Sequence, residues 1–242
     1  MFTEEEREAL RSGLLERAAG DQRITGAAIT GSAADGREDQ WSDIDLAFAV
    51  GDAGEMPNVI ADWTAYMYSR HLALHHMDVI AGAWVYRVFL LPSTLQIDLA
   101  FVPAPEFRAL APTFRLVFGK ANEPRHVPPP PVRDMVGWAW LYALHARTCI
   151  ARGKLWQAEY MISGVRDSAL ALASHRHGLP AVHGHGMDLL PSGVAAQFEG
   201  ALVRQLDAAE LWRAFRVAIQ GLLSEIRSID PELAERLQGL GQ

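Results

Sequence analysis

The chain of 242 residues has a single cysteine, Cys149. No internal disulfide can therefore staple it, and a lone thiol inside an apolar helical run reads as a small buried hydrophobe. It also lacks a basic excess: 22 lysines and arginines stand against 29 aspartates and glutamates, for a formal net charge of −7. The broad positive footprint of a polynucleotide-binding protein is missing, and nucleic acid is not an expected partner. The most apolar stretch, Met135–Leu144, is about half the ~20 residues that span a bilayer, so no membrane segment is expected. The opening MFTEEEREAL is acidic where a secretory signal would be basic and then apolar, which makes a cytoplasmic location the expectation. What is present in quantity is hydrophobic residues, 50% of the chain, enough to bury a core and to argue against disorder.

The acidity is unevenly placed. Residues 1–125 carry 18 acids and 11 bases, and residues 126–242 carry 11 of each. Between these halves lies Asn122–Arg133, with four consecutive prolines, Pro128–Pro131. Such a run enters neither a helix interior nor a central strand, so it marks a boundary between a domain at 1–125 and another at 132–242. Before it, helices and strands alternate. Thr3 and Glu6 form a capping box for a helix to Ala19, and Pro57 opens a second helix to His71. Strands are expected at Ile24–Thr30, Asp43–Val50, Met77–Ala81, Trp84–Leu91, Leu95–Val102 and Arg115–Phe118, with a short helix at Pro105–Leu110. Trp84–Leu91 and Leu95–Val102 flank Pro92-Ser93-Thr94 as a hairpin. After the boundary every long stretch reads as helix: Arg133–Arg152, Leu155–His177, Gly193–Leu206, Ala208–Ser228 and Pro231–Leu240. Trp138, Leu141, Tyr142 and His145 share one helix face, expected to pack into the core. The fold class is α+β: a mixed-sheet domain followed by a helical bundle.

The chemistry concentrates in Gly31–Leu46. Gly31 and Gly36 match the glycines of a P-loop, but Arg37 and Glu38 stand where its lysine and hydroxyl belong, which rules that motif out. Asp43 and Asp45 are more telling. At two-residue spacing on a strand they project from one face while Ile44 and Leu46 face the other. Two carboxylates so placed repel unless a cation lies between them, and Mg²⁺ takes one or two carboxylates together with substrate phosphates. Just upstream, Gly31-Ser32 ends a strand, offering backbone N–H groups and a hydroxyl to phosphate. Asp98 sits within the apolar run Leu95–Val102, where an unpaired charge is costly. His175, His177, His183 and His185 suggest zinc, but no acid or cysteine accompanies them at a ligand spacing.

Gly31-Ser32, ten residues, then Asp43-Ile44-Asp45-Leu46 resembles the G-S-x10-D-h-D-h signature of the DNA polymerase β-like nucleotidyltransferase superfamily, with Asp98 similar to its third carboxylate. A sheet domain followed by a helical bundle of this size is similar to the antibiotic nucleotidyltransferases, which act on aminoglycosides and lincosamides. The resemblance implies that Asp43, Asp45 and Asp98 hold two Mg²⁺ ions, and that Gly31, Ser32 and Ser42 grip the triphosphate of ATP or another nucleoside triphosphate. It further implies transfer of a nucleoside monophosphate to a hydroxyl of a small acceptor, with release of pyrophosphate and a role in antibiotic resistance. Asp98 is then the first choice of base, with Glu159 or Asp167 of the helical half as the alternative, since some antibiotic-modifying members use a separate glutamate. Glu159 and Asp167, eight residues apart on one helix of an acceptor-binding domain, are candidate substrate-binding acids. Alternatives are a protein adenylyltransferase of the toxin–antitoxin type and a non-catalytic nucleotide-binding module; an oligomer is left open.

Overall fold

The structure is a computed structural model that describes Phe2–Gly241. The chain divides into two compact units, Met1–Val127 and Pro128–Gln242. The first holds helices α1 (Glu4–Gly20) and α2 (Met56–His71) and strands β1 (Ile24–Thr30), β2 (Ile44–Val50), β3 (His75–Ala81), β4 (Trp84–Leu90), β5 (Gln96–Pro103) and β6 (Phe114–Phe118). The second is helical: α3 (Val132–Ala151), α4 (Leu155–Arg176), α5 (Ser192–Glu199), α6 (Ala208–Ile229) and α7 (Pro231–Arg236). This is the expected α+β class.

Six strands form one sheet in the order β3-β4-β5-β2-β1-β6. Only β2 and β5 run parallel; all other neighbours are antiparallel. Period-two alternation gives the sheet two unlike faces. Ile44, Leu46, Phe48 and Val50 of β2 and Ile97, Leu99 and Phe101 of β5 pack with Leu14 and Ala18 of α1 and Val59, Trp63 and Met67 of α2. Trp63 is fully buried, its ring centroid 4.9 Å from that of Phe48. The opposite face is built from small side chains, Ala28, Ala47, Ala49 and Ala100, with Trp84 and Phe107 beside them. These alanines are themselves buried beneath Trp84, Phe107, Tyr86 and Phe114, whereas Asp45 and Asp98 on the same face are only half-buried.

The expected capping box is present: Glu6 N–H donates to the Thr3 hydroxyl at 3.1 Å, and Thr3 N–H donates to the Glu6 carboxylate at 2.8 Å. The β4–β5 hairpin also forms, with Thr94 in a left-handed conformation. Three segments depart from expectation, the first being the last helix, expected to reach Leu240, which ends at Arg236 before a 3₁₀ turn at Gln238–Gly241. Pro105–Leu110 is no helix beyond a single 3₁₀ turn at Ala104–Glu106. The Asn122 side chain donates to the carbonyls of Ala104 and Phe107 at 2.9 and 3.0 Å and holds that stretch open. The helix expected to reach Leu206 stops at Glu199, where Arg213 of α6 takes the carbonyls of Gly200 and Leu202.

In the helical unit, α3, α4 and α6 share a core that is narrow where α3 meets α4. Ala139, Ala143 and Ala146 of α3 and Ala158 and Ala169 of α4 are all buried. The aromatic face proposed for the core is displaced by these small residues. Trp138 is 59% exposed, and Tyr142 is only partly buried. Helices approach closely through alanine, and a tryptophan at that seam would hold them apart. Cys149 is buried, as expected. Among the described residues no helix is long and apolar enough to cross a membrane.

Trp63→Ala should weaken the sheet unit by about 3–5 kcal/mol, through lost burial and the cavity left behind, while Trp63→Phe should cost much less. Urea unfolding followed by hydrogen exchange in β2 and β5 checks this.

Candidate active site

The site follows from the alternation that makes the core. With Ile44 and Leu46 turned to α1 and α2, Asp43 and Asp45 must turn to the alanine face. In the parallel β2–β5 ladder Asp45 pairs directly with Asp98, so register alone sets these carboxylates side by side. Asp43, Asp45 and Asp98 each offer an oxygen within 4.8 Å of the others, and among the described residues they form the one group of three metal-ligating side chains. The histidines at 175–185 form no such group among the described residues.

Gly31 supplies the wall behind them. Its φ is +62°, and a Cβ built there would lie 1.9 Å from Asp45 Oδ2. Any side chain would collide with the carboxylate, so the glycine permits both the left-handed turn and the contact. Gly31 opens a 3₁₀ turn, Gly31–Ala34, in which Ser32 is the next residue. Ser42 is tied down instead: its hydroxyl accepts from Asp39 N–H at 2.9 Å and donates to the Asp39 carboxylate at 3.1 Å.

Electrostatics makes the cluster unstable as a trianion. At an effective dielectric near 20, two carboxylates this close repel by about 3 kcal/mol. Burial, then the charges of Asp43 and Asp98, push the Asp45 carboxyl up to about 7. Burial also raises Asp98 to about 6, against the hydrogen bond from Gln96 that lowers it. Gln96 precedes Asp98 by two residues and faces the same way, and its amide donates to Asp43 Oδ2 at 3.2 Å and Asp98 Oδ1 at 3.1 Å. This oxygen-rich, partly buried, anionic set suits a hard divalent cation such as Mg²⁺.

Four contributors were not singled out in the sequence. Gln96 was discoverable, because the alternation that pairs Asp43 with Asp45 also pairs it with Asp98. Arg7, Arg11 and Glu38 were not. Arg7 and Arg11, both 4% exposed, lie one turn apart on α1. Arg11 donates to Glu38 at 2.7 Å, Arg7 lies 3.3 Å from the same carboxylate oxygen, and Arg7 donates to the carbonyls of Asp39 and Ser42. They clamp the loop joining Gly31 to Asp43 onto the first helix.

Of the helical-unit candidates, Asp167 lines a groove in that unit, whereas the Glu159 carboxylate accepts the Ser163 hydroxyl at 2.8 Å.

The raised carboxyls have a consequence for stability. A carboxyl whose folded pKa exceeds its unfolded value of about 3.9 binds its proton more tightly when folded. That stabilisation is complete below about pH 4 and is lost as pH rises towards 7. In chelator-treated protein, Asp45→Asn should therefore melt higher than wild type near about pH 7.5, by about 2 kcal/mol or a few degrees, and alike near about pH 4. Added Mg²⁺ should close the gap by raising the wild type alone. Calorimetric melting across pH measures both.

No family model and no curated protein matches the chain. Among solved structures it is similar to an aminoglycoside 6-adenyltransferase from Bacillus subtilis, at 14% identity across 97% of this chain and 92% of that one, with a TM-score of 0.38. It is also similar to the polymerase core of TRAMP, an RNA surveillance complex, at 14% identity and a TM-score of 0.33. That match covers 91% of this chain, which spans 58% of the other's length. At these scores neither likeness bears on activity, and the functional reading rests on the site itself.

Proposed function

We propose that the chain is a Mg²⁺-dependent nucleotidyltransferase of the DNA polymerase β-like type, moving AMP or another nucleoside monophosphate from its triphosphate to a hydroxyl of a small acceptor. The observation that carries this reading is the cluster of Asp43, Asp45 and Asp98, formed by strand alternation and by the β2–β5 register, against the backbone of Gly31. When bound, Mg²⁺ supplies charge neutralisation at the α-phosphate and the leaving pyrophosphate. The chain's residues do the rest. Asp43 and Asp45 hold the ions, joined by Asp98. The Gly31 N–H and the Ser32 hydroxyl take the outer phosphates, and Ser42, through Asp39, fixes the loop that presents them.

The reaction balances simply. The acceptor oxygen forms a bond to the α-phosphorus, the bond from that phosphorus to the bridging oxygen breaks, and pyrophosphate leaves. The hydroxyl proton goes to Asp98, the carboxylate set beside Asp45 by the β2–β5 register. Positioning and charge neutralisation dominate such transfers, which is why three carboxylates and a glycine turn suffice. The helical unit serves as the acceptor-binding domain, with Asp167 and Glu159 as its candidate acids. Aminoglycosides and lincosamides are the acceptors to try first. Excess acid in residues 1–125 favours a cationic acceptor and disfavours a polynucleotide.

Incubation with α-labelled ATP, Mg²⁺ and a panel of aminoglycosides and lincosamides should place label on a small molecule. Label on protein would select the protein-modifying alternative, and no label with any nucleotide would defeat the enzymatic reading. Asp43→Asn and Asp45→Asn should each lower turnover by at least about two orders of magnitude without unfolding the chain; near-normal transfer by either would remove these residues from the mechanism. Asp98→Asn should flatten the acidic limb of the pH–rate profile, a change that kcat measured from about pH 5 to 9 reports.

A further inference from the structure

The helical unit contains a groove of about 720 Å³ whose lining is unusual for a surface. Trp138 and Tyr142, one turn apart on α3, form an aromatic wall with ring centroids 6.1 Å apart. Facing it is one stripe of α4, Tyr160, Ser163, Gly164 and Asp167, spaced as one helix face is. Gly164 has a specific part in this. A Cβ built on it would lie 2.8 Å from the Tyr142 ring, so the bare glycine lets that ring lie flat against α4. Trp138 at 59% and Tyr160 at 64% exposure are large aromatics that neither core has absorbed. Clustered exposed aromatics around a cavity of this size mark a ligand site.

The polar inventory decides the ligand. Ser163 is already bonded to Glu159, and Ser168, deeper in the groove, is bonded to the carbonyl of Gly164. Asp167 is the one carboxylate in the lining. Arg166 engages only its Oδ1, at 2.8 and 2.9 Å, and Oδ2 has no partner among the described residues. His183, on the loop that forms the third side, adds a second polar edge.

We infer that this groove binds a small ligand with one amine and an apolar or aromatic body, and not a polycation. This ligand chemistry follows from the lining alone and holds whether or not the sheet unit transfers a nucleotide. One ammonium bonds to Asp167 Oδ2 while the body stacks on Trp138, Tyr142 and Tyr160, where cation–π attraction adds to burial. Several ammonium groups would find one carboxylate, half engaged by an arginine, in a unit that carries no net charge.

The test uses the full chain without nucleotide and calorimetric titration with three probes. N-benzyl-deoxynojirimycin carries one amine, hydroxyls and an aromatic body; benzyl glucoside is its neutral counterpart; kanamycin is a polycation. The benzyl amine should bind about tenfold more tightly than the neutral glycoside and more tightly than kanamycin, the margin expected for one charge-assisted hydrogen bond. Asp167→Asn should remove that advantage and leave the glycoside unchanged. Trp138→Ala and Gly164→Ala should weaken both benzyl ligands. Equal binding of amine and glycoside, tighter binding of kanamycin, an Asp167→Asn protein that keeps the advantage, or no binding by any probe would overturn the inference. If the binding pattern holds while no nucleotide label is transferred, the groove survives and the enzymatic reading falls.

Discussion

Mutual repulsion among three carboxylates is the constraint on which the sheet unit turns. A folding chain would relieve it by letting Asp43, Asp45 or Asp98 swing into solvent. Here β2 and β5 forbid that, because freeing Asp45 or Asp98 would break the parallel register that also buries Leu46, Phe48, Leu99 and Phe101. Core energy thus holds the charges together. Gly31 closes one side of the cluster, and Gln96 spans two of its members with a neutral amide. The outcome is a site in which Asp45 and Asp98 carry raised pKa values. Perturbed carboxyls gathered in one place are the usual mark of a functional site.

The surrounding structure serves this arrangement. Both faces of the sheet are packed, with alanines beneath Trp84 and Phe107 on one side and bulky residues around Trp63 on the other, and this gives the rigidity that fixes the carboxylates. The loop from Gly31 to Asp43 would be free to drift, but two buried arginines of α1 hold Glu38 and two carbonyls near its end. The helical unit uses the same logic with different materials. Its alanine seam draws α3 and α4 together, which turns the aromatics outward and creates a groove in place of a deeper core.

How much of this was legible in the sequence depended on the range of the physics. Strand alternation and capping are local, so β1, β2, β4 and the α1 capping box could be read directly. The pairing of Asp43 with Asp45 follows from period two, and Asp98 stood out because a charge in an apolar strand needs a reason. Contacts between distant segments were not legible. Arg7 and Arg11 look like ordinary helix-surface charges until the loop 32 residues later reaches them. The end of α5 depends on Arg213, and the irregular stretch after Glu106 on Asn122, neither of which a local pattern contains. Trp138 shows the sharper failure. Helical spacing identified a shared face correctly, but spacing cannot say whether aromatics or alanines win the seam between two helices.

The central claim is that Asp43, Asp45 and Asp98 act as one cation-binding group that grips a triphosphate. Electron paramagnetic resonance of Mn²⁺ titrated into the full chain tests it most directly, with and without a non-hydrolysable ATP analogue. The account predicts bound Mn²⁺ that increases when the analogue is added and that falls to background in Asp45→Asn. Equal Mn²⁺ binding by wild type and Asp45→Asn, with or without the analogue, would contradict it.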